Sequence, residues 1–180
     1  KAHIFIVTKC STTMSPIDRR LWTNKLRSVA YQKIFFSRYQ STMIEPLFYF
    51  KEREEIDYGR QAIIVTGIGN PRPFIKETET RFSVVEKLIY RDHHSFTAED
   101  MKLLCKLLDK HPRAIVLMTE KDAVKLRRSN NLPESLRRAM YYQPVEMSFI
   151  EGPDQDFIGN LVAEIENTGN DRELTKKHVE

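Results

Sequence analysis

Two kinds of apolar pattern alternate along this chain. Short apolar runs of strand length occur at HIFIVTK (3–9), KIFFSRY (33–39), QAIIVTG (61–67), FSVVEKLIYRD (82–92) and AIVLM (114–118). Between them, apolar residues recur at helical spacing, as Leu21, Trp22, Leu26 and Val29, and as Met101, Leu104 and Leu108. Helix starts are marked by Ser15-Pro16-x-Asp18, Thr97-x-x-Asp100 and Thr119-x-x-Asp122, in which a hydroxyl accepts from a backbone N–H three residues on. A further helix is expected from Pro71 to Thr80. YYQPVEMSFI (141–150) reads as a last strand, at an edge or bent because of Pro144. Phe157, Leu161, Val162 and Ile165 mark a final helix. Strands alternating with helices predict an α/β fold with a mostly parallel sheet and flanking helices.

The pattern divides the chain into a strand–helix–strand unit (1–39), a linker or small hairpin (40–60), a second α/β lobe (61–167) and a polar tail (168–180). The length of 180 residues suits one domain, or one and a piece, and 41% apolar residues suffice for a core. Net charge is +4, with both signs well mixed. That balance suits an anionic ligand or membrane surface, and no basic run interleaved with aromatics marks a nucleic-acid partner. Cys10 and Cys105 lack metal-ligand spacing. No apolar segment approaches the roughly 20 residues needed to cross a bilayer. The chain opens on a strand with Lys1 in first place, the start expected of part of a longer protein.

In a parallel sheet the loops after the strands share one edge, where ligands bind. Three such loops are rich in reactive groups: Gly67-Ile68-Gly69-Asn70-Pro71, Asp92-His93-His94-Ser95 and Thr119-Glu120-Lys121-Asp122. They are expected to converge on one site. The glycine loop is neither G-x-x-x-x-G-K-[ST] nor G-x-G-x-x-G, because Arg72 stands where a third glycine would be. It permits close approach of the backbone to an anion, or is a plain tight turn. Adjacent histidines at a strand end point apart and offer too few ligands for a metal. A histidine oriented by Asp92 suits proton or phosphate contact better. Lys121 is a candidate phosphate contact, whereas Glu120 and Asp122 also suit the positive end of a helix. Ser11 replaces the aspartate with which IVTK-type motifs read guanine.

VTKC, GIGNPRPF, RDHHSFTAEDM and MTEKDAVKL, in this order and at these separations, resemble the C-terminal half of tetraacyldisaccharide 4'-kinase, the lipid A disaccharide kinase of Gram-negative bacteria. The resemblance spans residues 3–165. It implies transfer of the γ-phosphate of ATP to a hydroxyl of a membrane-embedded disaccharide lipid. It also implies a Rossmann-like second lobe, related to P-loop kinases, that closes over ATP. Residues 3–39 would be the last strand–helix–strand unit of the nucleotide-binding lobe. The missing remainder of that lobe, a partner from the same protein, would carry the P-loop and most ligands of Mg2+. The family's C-terminal functional histidine falls on His93, beside Asp92, and these are the catalytic candidates. Gly67, Gly69, Asn70, Thr119, Glu120 and Lys121 are the cofactor-binding candidates, lining the cleft. The implied location is peripheral, on the cytoplasmic face of the inner membrane, and a piece without a P-loop is expected to be inactive. From the residues alone, a stand-alone α/β module binding a phosphorylated ligand and a structural interaction domain remain open.

Overall fold

The computed structural model describes residues 2–11, 13–52, 55–127, 132–150 and 156–176, with side chains described as far as residue 166. In chain order the elements are β1 (Ile4–Val7), α1 (Pro16–Leu26), β2 (Lys33–Ser41), β3 (Glu45–Pro46), β4 (Gln61–Thr66), α2 (Arg72–Arg81) and β5 (Ser83–Ile89). There follow α3 (Ala98–Lys110), β6 (Ile115–Thr119), α4 (Glu120–Leu126), α5 (Glu134–Ala139), β7 (Met140–Gln143), β8 (Val145–Phe149) and α6 (Phe157–Lys176). They form two compact units, residues 1–40 with 146–180, and residues 41–145.

The first unit holds a three-stranded sheet in the order β1-β2-β8, with β1 and β2 parallel. Its core is aromatic. Phe35 is buried and meets Phe149 and Phe157 edge-on, while Phe149 and Phe157 stack with centroids 4.3 Å apart. Ser15 and Asp18 cap α1 reciprocally, with Pro16 in its first turn, as the sequence predicts. The helix itself buries none of its residues, and Leu21 is 61% exposed, so the apolar spacing there does not mark a core face.

The second unit is built on a five-stranded sheet in the order β3-β7-β6-β4-β5. The pairs β4–β5, β4–β6 and β6–β7 are parallel, and β3 runs antiparallel to β7. The central strands β4 and β6 are buried on both faces, which is why they read as unbroken apolar runs. Alternation along them feeds two cores. Ile63, Val65, Val116 and Met118 pack with Leu104, Ala123, Leu126 and Leu136 on one face. Ala62, Ile115 and Leu117 pack with Phe82 and Tyr141 on the other.

Three expectations need correction. Residues 40–60 are more than a linker, since β3 pairs with β7 and the buried Leu47 donates its N–H to the Met140 carbonyl. An unpaired β7 edge would leave exposed backbone groups, and this segment covers them. The run 141–150 is two strands, because Pro144 lacks an N–H and ends the pairing; β7 and β8 belong to different sheets. Residues 146–167 consequently group with the N-terminal segment, not with residues 61–145. The sequence pattern gives no sign of the short helix α5. Among the described residues no helix is long and apolar enough to cross a membrane.

Candidate functional site

Parallel pairing of β4, β5 and β6 brings the loops that follow them to one sheet edge. Their deepest contact joins the loop after β4 to α4. Asp122 has no exposed surface, and its Oδ2 accepts from the Gly67 N–H at 3.0 Å and from the Thr119 hydroxyl at 2.8 Å. Lys125 Nζ donates to its Oδ1 at 3.0 Å, so the buried carboxylate is paired and bonded as burial requires. Thr119 Oγ1 also accepts from the Asp122 N–H, capping α4. The acidic residue of this cap is therefore the brace between two loops.

The loop after β5 turns through Arg91–His94, closed by the His94 N–H on the Arg91 carbonyl at 3.2 Å. His93 occupies the third position with φ 60, a left-handed conformation costly for any residue but glycine. Its N–H donates to the Gly67 carbonyl at 3.2 Å and to Asp92 Oδ1 at 2.9 Å. The ring stands 78% exposed, with Nε2 3.7 Å from Asp92 Oδ2. Lys121 Nζ reaches Asp92 Oδ1 at 3.4 Å. Partial desolvation acts to raise the Asp92 pKa, but the Lys121 ammonium, the His93 N–H and the His93 ring together hold it below the usual carboxylate value.

His94 points the other way. Its ring stacks on Tyr90 at 4.1 Å, meets Phe96 edge-on at 5.3 Å and bonds through Nε2 to Asp100 Oδ2 at 2.8 Å. Its carbonyl accepts from Lys125 Nζ at 3.1 Å. Burial first, and the neighbouring Asp100 carboxylate second, push the Tyr90 phenol up to about 12. The Tyr90 hydroxyl makes no hydrogen bond of good geometry there, so its influence on Asp100 is one of proximity.

The sequence candidates separate into two groups. His93, Asp92, Gly69 and Lys121 come together at the exposed rim: a Cβ on Gly69 would lie 2.9 Å from Asp92 Oδ2. Asn70 is exposed beside them. Gly67 and Thr119 form the wall behind. Gly67 is buried with its N–H and carbonyl both engaged, and a Cβ there would meet His94 Cβ at 3.0 Å. The Cβ position of each glycine is taken by a neighbouring loop, His94 at Gly67 and the Asp92 carboxylate at Gly69. Glu120 is exposed, and its carboxylate accepts at 3.3 Å from the N–H of Val145, the first residue of β8. Asp122, His94, Asp100 and Lys125 are structurally central yet absent from the sequence candidates. The Thr119-x-x-Asp122 spacing was the available signal for the first, but it reads equally as an ordinary cap. Among the described residues no group of three or more His, Cys, Asp or Glu could hold a metal ion.

Comparison with known proteins agrees with the motif order. A family model described as tetraacyldisaccharide-1-P 4'-kinase (LpxK) matches residues 2–165. The tetraacyldisaccharide 4'-kinase of Porphyromonas gingivalis is 34% identical over 173 residues, which cover 93% of this chain and 48% of that protein. That of Phocaeicola vulgatus is 32% identical over 166 residues, covering 89% and 45%. The chain thus spans about half the length of the curated relatives it matches. Among solved structures, the "apo" form of LpxK from Aquifex aeolicus in complex with ATP is similar over 90% of this chain and 51% of that one, at 14% identity and a TM-score of 0.49. With the loops after β4, β5 and β6 all inside the matched span, this chain belongs to the tetraacyldisaccharide-1-P 4'-kinase family.

Proposed function

We propose that the chain is the C-terminal part of an ATP-dependent kinase that phosphorylates the 4'-hydroxyl of the lipid A disaccharide precursor. In this reading residues 41–145 form a Rossmann-like lobe, related to P-loop kinases, whose loaded edge closes over ATP. The observation that carries it is the rim of residues 67–71, 92–93 and 121, where a strained, exposed His93 stands beside an Asp92–Lys121 pair. Strain of about 1–3 kcal/mol at a single residue persists where surrounding structure imposes it, and such positions cluster at functional sites.

ATP supplies the phosphoryl group: the lipid hydroxyl oxygen forms the new bond to phosphorus as the bond to the ADP oxygen breaks, and the hydroxyl proton is released to solvent. The His93 imidazole and the Lys121 ammonium contribute donors aimed at phosphate oxygens, and Asp92 orients both. Donors that strengthen their hold as charge spreads over the transferred group raise the rate most. Among the described residues no group of three or more His, Cys, Asp or Glu could hold Mg2+, and in this reading its ligands belong to the nucleotide-binding lobe. Gly69 and Asn70 line the rim, Gly67 and Thr119 support it from behind, and Glu120 flanks it. The lipid substrate places the whole protein in peripheral contact with the cytoplasmic face of the inner membrane.

The test is His93→Ala in the full-length protein. Phosphoryl transfer should fall by about 10²–10³-fold, the usual cost of one preorganised donor, with the melting temperature little changed. Normal specific activity in the folded variant would remove His93 from the site. The chain alone, with no G-x-x-x-x-G-K-[ST], should show neither lipid kinase nor ATPase turnover.

A further inference from the structure

His94 is the most heavily anchored residue of the β5–α3 loop, yet its ring faces away from the rim. Its ring nitrogen Nε2, its backbone N–H and its carbonyl are all tied down. The ring nitrogen Nε2 bonds Asp100 Oδ2 at 2.8 Å, and Asp100 is itself fixed by the Thr97 N–H at 2.8 Å and the Thr97 hydroxyl at 3.0 Å. The backbone N–H closes the turn onto Arg91, and the carbonyl is held by Lys125, which is bonded in turn to the buried Asp122. Tyr90 lies flat against the ring with planes 6° apart, and Phe96 closes the edge.

The neighbour on the chain is His93, with φ 60 and an exposed ring. A lone residue left free would relax from that conformation. Here the residue behind it is pinned on three sides, and its own N–H is caught by the Gly67 carbonyl at 3.2 Å. Gly67 is held by Asp122, the same carboxylate that grips Lys125. The clamp on His94 and the catch on the His93 amide therefore share one buried brace.

We propose that His94 is a positioning residue: its bond to Asp100, its stack on Tyr90 and the Lys125 grip on its carbonyl hold the turn so that His93 presents its imidazole at the rim. This role rests on the kinase reading of His93. Asp100 does double duty, capping α3 and anchoring the His94 ring, so the helix start and the site geometry are coupled. The low pKa of Asp100 fits that arrangement. Partial burial raises it, and the Thr97 N–H, the His94 ring, the Tyr90 hydroxyl and the Thr97 hydroxyl together outweigh that effect.

The experiment uses the full-length enzyme with His94→Phe, His94→Gln, His93→Ala and the double variant of His94→Phe with His93→Ala. His94→Phe keeps the flat stack on Tyr90 and removes the bond to Asp100. It should lower kcat by about 10–100-fold, the range for partners that orient a functional group, with KM for the lipid little changed. The double variant should be no slower than His93→Ala alone, because a residue acting only through another loses its effect when that other is gone. Hydrogen exchange at the His93 amide should quicken in His94→Phe, and His94→Gln, which keeps a donor for Asp100, should recover part of the loss. Multiplying losses in the double variant, or unchanged His93 exchange in a slowed His94→Phe, would overturn the proposal. Should His94→Phe fail to fold, Asp100→Asn carries the same measurements. A normal kcat for His93→Ala would remove His93 from the site, and the positioning role would then be judged on His93 exchange alone: faster exchange in His94→Phe sustains it, unchanged exchange refutes it.

Discussion

Asp122→Ala is the sharpest probe of how this site is held. The wild-type carboxylate is fully buried and accepts from the Gly67 N–H, the Thr119 hydroxyl and Lys125 Nζ. Truncation removes all three bonds at once. Breaking a buried ion pair from one side costs about 3–5 kcal/mol. Lys125 is 26% exposed and can regain some hydration, which favours the lower part of that range. Gly67 cannot, and a stranded buried N–H costs about 1–3 kcal/mol. Taken together the loss should be about 4–6 kcal/mol, a large share of the 5–15 kcal/mol typical of a folded domain. At about 2–4 °C per kcal/mol for a chain of this size, Tm should fall by roughly 8–24 °C. Asp122→Asn keeps an acceptor for the Gly67 N–H and the Thr119 hydroxyl but loses the charge and the acceptor for Lys125 Nζ, so it should cost about 1–3 kcal/mol, less than Ala. Urea unfolding followed by far-UV circular dichroism, with hydrogen exchange at the Gly67 amide, measures both. Fluorescence is the wrong probe, because the single tryptophan, Trp22, lies in the unit formed by residues 1–40 and 146–180. If Asp122→Ala loses less than about 1 kcal/mol, or if Asn is as damaging as Ala, the brace is not what holds these loops.

The two loop glycines should respond differently. Gly67→Ala pushes a Cβ to 3.0 Å from His94 Cβ, an atom fixed to the backbone, and should cost about 1–3 kcal/mol of stability. Gly69→Ala meets only the movable tip of Asp92, at 2.9 Å, so Tm should hold while transfer by the full-length protein falls; equal destabilisation by both would contradict the packing described. The pH dependence follows from Asp100, whose folded pKa is depressed. Its contribution is fully present above the unfolded aspartate value of about 3.9 and is lost as pH falls through the lower folded value. Acid titration of Asp100→Asn should therefore show a shallower loss of stability below about pH 4 than wild type, and an unchanged profile would refute the assignment.

Local signals in the sequence were reliable where the cause is local. The capping pairs Ser15–Asp18 and Thr97–Asp100 fall where their spacing predicts, because a side chain reaching back three residues needs nothing beyond its own helix. β4 and β6 were legible because burial on both faces demands an unbroken apolar run. Parallel pairing then placed the three reactive loops on one edge, and the motif order pointed to the family.

Sequence by itself thus determined the principal helices and the central strands, the sheet edge on which the candidate chemistry gathers and the family. Tertiary structure alone decided which polar residues face the rim and which hold it up. The Thr119-x-x-Asp122 spacing marks Asp122 as a cap but not as the buried brace, since its partner Gly67 lies 55 residues away. Nor does the adjacent pair His93-His94 reveal that one ring is exposed and the other is stacked and bonded. Their opposite fates follow from a left-handed turn that only the surrounding contacts impose. The same limit explains why 141–150 reads as one strand. Alternation fixes which face a residue takes but not which sheet receives it, so the passage of the chain at Pro144 from one sheet to another is settled by long-range packing.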